Sequence, residues 1–136
     1  MSRRNGRVIA FQAVYSWDVS KASLDELLTF EWLQKDVAEE RTFASLIIAG
    51  TISHIDEIDK LIESHLSSSW SMDRISRVAL AILRTSVYEL LFQNGAEAKI
   101  VIDEAVNIAK DFDTDDSYKF INAVLDKIGK DEPKRA

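Results

Sequence analysis

A chain of 136 residues, 46% apolar and 29% charged, can build one hydrophobic core but not two, so it reads as one folded domain over 1–136 rather than a disordered segment. The absence of cysteine excludes disulfides and thiolate metal sites and fits the cytoplasm. A formal charge of −6 argues against a general nucleic-acid binder, which carries a basic excess.

The charge is uneven. Arg3, Arg4 and Arg7 precede any acid, Lys130, Lys134 and Arg135 close the chain, and 18–63 is mostly acidic. An anion site is therefore expected near the chain ends. One proline and four glycines leave few breaks, which predicts an all-α fold. No window approaches the roughly 20 apolar residues of a membrane span.

Val8, Phe11, Val14 and Tyr15 recur at helical spacing and predict a first helix over about 3–19, with the three arginines in its first turns. The helix dipole disfavours cations there, and the unpaired N–H groups favour anions. Ser23 is placed to cap a short second helix carrying Leu24, Leu27, Leu28 and Leu33. The stripe Phe43, Leu46, Ile47, Gly50, Ile55, Ile58, Leu61, Ile62 and Leu66 predicts one long helix over about 37–66, with Gly50 admitting a close neighbour.

The serine-rich patch around Trp70 marks the boundary between an N-terminal helical part, about 1–66, and a C-terminal bundle, about 71–129. A strongly apolar helix follows, ended by Asn94-Gly95 with Gly95 in the left-handed position. The next, over about 97–112, turns Ile100, Val101, Ala105, Ile108, Ala109 and Phe112 inward. Thr114 or Asp115 caps the last helix, Gly129 stops it, and 130–136 is expected to be a mobile tail.

Little here resembles catalytic chemistry. His54 and His65 lie eleven residues apart, about 16 Å along a helix, too far to share one metal ion. Acid pairs such as Glu39-Glu40 and Asp103-Glu104 accompany no nucleophile and base. The isolated glycines form no phosphate loop. No cofactor and no enzymatic activity are expected. The first helix does offer arginines for phosphates, Gln12 for a base edge and Tyr15 for stacking; core packing of Tyr15 explains the same spacing equally well.

Four segments taken together carry more: GRVIAFQAVYSW at 6–17, AILRTSVYELLF at 81–92, IVIDEAVNIAKDF at 100–112 and DDSYKFINAVLDKI at 115–128. Their order and content resemble the transcription antitermination factor NusB family over nearly the whole chain, most specifically in the last segment. The resemblance implies an all-α fold of about six to seven helices in two small packed subdomains. It also implies binding of single-stranded boxA-type RNA of ribosomal RNA transcripts, together with the small-subunit ribosomal protein that acts as Nus factor E, within an antitermination complex on RNA polymerase.

Carried over by position, the RNA site would comprise Arg3, Arg4, Arg7, Gln12, Tyr15, Asp116, Ser117, Lys119 and Phe120. In it, arginines and Lys119 serve phosphates, Tyr15 and Phe120 stack, and Asp116 and Ser117 bond base edges. The chain departs from the family pattern at Val8, Ala79-Leu80, Glu97, Tyr118 and Ala123; Ala79-Leu80 bears on the protein partner and Tyr118 on RNA preference. An accessory RNA-binding or protein-binding adaptor in ribosomal RNA maturation is the competing reading, and a monomer or weak homodimer is expected.

Overall fold

The computed structural model describes residues 3–114 and 116–135. Among them the secondary structure is helical: α1 (Arg3–Val19), α2 (Leu24–Leu27), α3 (Arg41–Ser53), α4 (Ile55–Ser64), α5 (Arg77–Phe92), α6 (Ala98–Phe112) and α7 (Ser117–Asp131), with one 3-10 turn at Met72–Arg74. The all-α fold with about seven helices agrees with the sequence. Ser23 caps α2 as expected, its hydroxyl accepting from the Glu26 N–H at 3.2 Å and donating to the Glu26 carboxylate.

The expected 37–66 helix is broken. Residues 37–40 precede α3, and His54 separates α3 from α4 with φ −110° and ψ 22°. Its Nδ1 lies 2.9 Å from the Gly50 carbonyl, and its ring packs 4.4 Å from Phe92, centroid to centroid. A side chain folded back onto the helical ladder is a recognised cause of such a kink. Apolar periodicity could not reveal it, because Ala44, Ile48, Thr51, Ile58 and Ile62 are buried on both sides of the break.

α5 is the centre of the fold. Every residue from Ala79 to Leu91 is buried, as befits a helix enclosed on all sides. It packs against α1, α3 and α4 and also against α6 and α7, so one buried cluster runs from Ile9 to Ile128. Gly50 lets α3 approach it: a Cβ there would stand 2.0 Å from the Tyr88 ring.

Several boundary and burial expectations need correction. Leu46 and Ile100 are about half exposed and Phe112 is 43% exposed; the inward face of α6 is Val101, Ala105, Ile108 and Ala109. The N-cap position of α7 falls on Asp116 rather than Thr114, whose carbonyl accepts from the Ser117 N–H; Asp115 lies outside the described residues. Gly95 does adopt φ +80°. Gly129 does not end α7, which runs on to Asp131 and stops at Glu132, held extended before Pro133.

Nor is the described part of the tail loose. Lys134 Nζ donates to the carbonyls of Leu90 and Gln93, both at 3.0 Å, the Arg135 N–H donates to Leu91 O at 2.7 Å, and the Arg135 guanidinium meets Glu57 at 3.0 Å. These groups satisfy carbonyls at the C-terminus of α5, where cations also suit the dipole.

Candidate nucleic-acid interface

α1 runs antiparallel to α5, because Arg7 meets Glu89 while Asp18 meets Arg77 at 3.1 Å. This pairing sets where each proposed site residue points. Arg7 is not on an open strip. Its Nε and Nη2 donate to the two Glu89 carboxylate oxygens at 2.8 and 2.5 Å, and its side chain is 12% exposed.

That paired geometry holds Arg7 above the ordinary guanidinium range, chiefly through the Glu89 hydrogen bonds, opposed by burial and aided by the charges of Glu89 and Glu104. A guanidinium whose Nε–Nη2 edge is taken by a carboxylate, with its side chain set inside a helix interface, acts as a tie between helices rather than as an open phosphate contact. The assignment of Arg7 to the RNA strip is therefore corrected to a structural one. A second such pair, Arg84 to Asp59 at 2.8 and 2.9 Å, ties α5 to α4.

The other two arginines are more open. Arg4 pairs with Asp111 and reaches to 3.9 Å from Glu104, both on α6, with its side chain 36% exposed. Arg3 is exposed and lies over the Phe43 ring at 4.8 Å. Gln12 and Tyr15 are half-buried and line an apolar pocket of about 280 Å³ with Phe11, Ser16, Trp32, Val78 and Phe112.

Asp116, Ser117 and Phe120 line a different depression, with Trp70, Arg74, Ser76, Ala79 and Thr114. The two share no lining residue but sit side by side, since Val78 lines one and Ala79 the other, and Phe112 and Thr114 flank the α6–α7 turn between them. Arg7, eight residues and so about 12 Å along α1 from Tyr15, belongs to neither. The structure thus brings the Tyr15 end of α1 beside the start of α7 and leaves Arg7 apart, while Arg4 reaches the end of α6 through Asp111.

Lys119, exposed, sits 3.6 Å from Asp116 and shares the Tyr118 ring with Lys110, at 5.9 and 4.7 Å from its centroid. Lys110 adjoins Asp111, the partner of Arg4, so cationic groups continue from α1 across the end of α6 to α7. Sequence reading overlooked Lys110 and Trp70. The visible signal for Trp70 was a lone large aromatic in a run of serines, and Lys110 gave none beyond its place before the turn.

Fold and surface define the class first: an all-helical domain whose open aromatic and cationic groups gather about one turn. Residues 4–130 match the NusB family. The chain is 51% identical over 131 residues to the transcription antitermination protein NusB of Treponema denticola, covering 94% of this chain and 96% of that one.

Among solved structures, it is similar to T. maritima NusB with a TM-score of 0.87 at 32% identity, covering 97% of this chain and 93% of that one. A crystal structure of antitermination factors NusB and NusE in complex with dsRNA contains a chain similar at TM-score 0.85 and 31% identity, covering 96% of this chain and 97% of that one. The chain belongs to the NusB family.

Proposed function

We propose that the chain is an RNA-binding transcription antitermination factor that acts with a ribosomal-protein partner of the NusE kind. The observation that carries this reading is full-length likeness to a protein solved together with NusE and RNA, in a chain whose family match spans 4–130. Arg3, Arg4 and Lys119 serve phosphates, and Phe120, Asp116 and Ser117 meet a base.

The Tyr15 pocket takes a different occupant. Its lining of Phe11, Tyr15, Trp32, Val78 and Phe112 suits an apolar side chain of the protein partner better than a phosphate. On this reading the chain works by binding, as a monomer or weak homodimer in the cytoplasm, on boxA-type single-stranded RNA within an RNA polymerase complex. Its deeply set ionisable groups, Arg7, Glu89 and Arg84, support this by being committed to one another and to Asp59. No helix among the described residues is long and apolar enough to cross a membrane.

A gel-shift with single-stranded boxA-type RNA, with and without the ribosomal partner, tests the proposal, with double-stranded RNA as competitor. Tighter binding with the partner and weak competition by the duplex are expected. Equal competition by the duplex would overturn the single-strand preference, and no shift under either condition would sink the RNA-binding reading.

A further inference from the structure

Trp70 lies in the connection between α4 and α5, in a sequence of four serines and no other apolar residue over 67–71. A tryptophan in a polar loop usually packs into the core; this one is 42% exposed. Its ring packs on Phe120 at 4.8 Å between centroids and 35° between planes, and the Arg74 guanidinium lies 5.6 Å from its centroid. The loop is held in place as well: Arg74 Nη1 donates to Ser69 O at 3.0 Å, and the Trp70 N–H donates to Ser67 O at 3.0 Å.

The depression around this pair has a volume of about 280 Å³, at the lower edge of the roughly 300–1,000 Å³ typical of small-molecule sites. It has room for one small planar group. Its walls differ in chemistry: Trp70, Phe120, Ile75 and Ala79 are apolar, whereas Ser117, Thr114 and Asp116 are polar. Asp116 carries an 86% exposed carboxylate, able to accept from an amino group. A flat ring with hydrogen-bonding edges matches both walls, while an aliphatic protein side chain would leave the polar wall unmet.

Charge agrees. Arg74 borders the depression, and Lys119 comes to 3.6 Å from Asp116 on its polar wall, so a phosphate beside the inserted ring has a cation within reach. We propose that Trp70, with Phe120, forms a stacking pocket for a single unpaired nucleobase, with Asp116 and Ser117 at the base edge and Arg74 at the adjoining phosphate. This inference rests on the RNA-binding reading above. It adds Trp70 and Arg74 to the interface and assigns the pocket to a base rather than to the protein partner.

The test uses the full chain with Trp17→Phe and Trp32→Phe, which leaves Trp70 as the sole tryptophan, and a short single-stranded boxA-type RNA. Stacking of a base on the indole should quench its emission in step with binding. Trp70→Ala in the otherwise unaltered chain should raise Kd about ten-fold or more, and Trp70→Phe should recover most of the affinity. Because Trp70 is partly exposed, circular dichroism of Trp70→Ala is expected to match that of the parent.

RNA binding without quenching, together with unchanged affinity of Trp70→Ala, would overturn the pocket and leave the RNA-binding reading intact. Quenching by the ribosomal partner in place of RNA would assign the pocket to protein and overturn it equally. Failure of the unaltered chain to bind the RNA at all, with or without the partner, would remove both readings.

Discussion

Polar groups around α5 and polar groups around the α6–α7 turn behave in opposite ways. Around α5, Arg7 with Glu89 and Arg84 with Asp59 form two-point pairs between helices. Around the turn, Lys119, Asp116 and Lys110 make longer or more exposed contacts, and Trp70 leaves much of its ring uncovered. Buried pairs are costly to break, whereas exposed pairs contribute little and exchange readily for a ligand. The contrast separates framework from interface within one small domain, although both sets use the same residue types.

The largest expected effect tests the framework. Glu89→Ala removes one partner of a pair whose carboxylate side chain is 4% exposed and should cost about 3–5 kcal/mol, read by urea denaturation. Replacing both partners, as Arg7→Met with Glu89→Leu, should restore much of that loss. A Glu89→Ala variant as stable as the parent would show that the pair is not framework.

Gly50→Ala probes the same core by geometry. Its Cβ would overlap the Tyr88 ring, so a loss of about 1–3 kcal/mol is expected from overpacking, read as a lower thermal midpoint. An unaltered midpoint would mean that α3 and α5 do not pack so closely.

The interface should respond in affinity and not in stability. Lys119→Ala should leave the unfolding curve in place and lower the slope of log Kd against log salt by about one charge. Arg7→Ala should do the reverse, weakening the fold while leaving that slope unchanged. Exchanged results would exchange the two regions. Because Arg7 is held above its ordinary range, the stability that it contributes is present through neutral pH and is lost as strong alkali discharges it.

The smallest effect is expected at the edge of the framework. Arg135→Ala removes a contact to Glu57 from a side chain that is one-quarter exposed and should cost less than about 1 kcal/mol. A larger loss, measured by denaturation, would place the tail inside the framework.

Sequence patterning foresaw what depends on local chemistry. The Ser23 cap, the left-handed Gly95 and the close approach at Gly50 each follow from one residue's geometry. The kink at His54 escaped because apolar spacing continues through it. The role of Arg7 escaped for a related reason: a cation in the first turns of a helix looks exposed until its partner, 82 residues away, is known. A clue existed in Arg84 and Glu89, two charged residues inside the apolar run 78–92, since a charge enclosed by a core needs an opposite charge.

The α7 segment was the opposite case. Asp116, Ser117 and Phe120 could be named from the resemblance, yet their neighbour Trp70, some fifty residues earlier, could not. Proximity across the fold, not chemistry, was the missing information.

The hydrogen bonds from Lys134 and Arg135 to the end of α5 have a practical corollary. Lys134 and Arg135 finish a helix that begins at residue 77, so the middle of the protein is complete only once residues 134 and 135 have been synthesised. A version cut after Asp131 should therefore fray where α5 leaves the core, and a bulky group attached at Arg135 would press on that same junction. An N-terminal fusion would spare it but crowd Arg3 and Arg4, so purification tags on this protein report on two different surfaces.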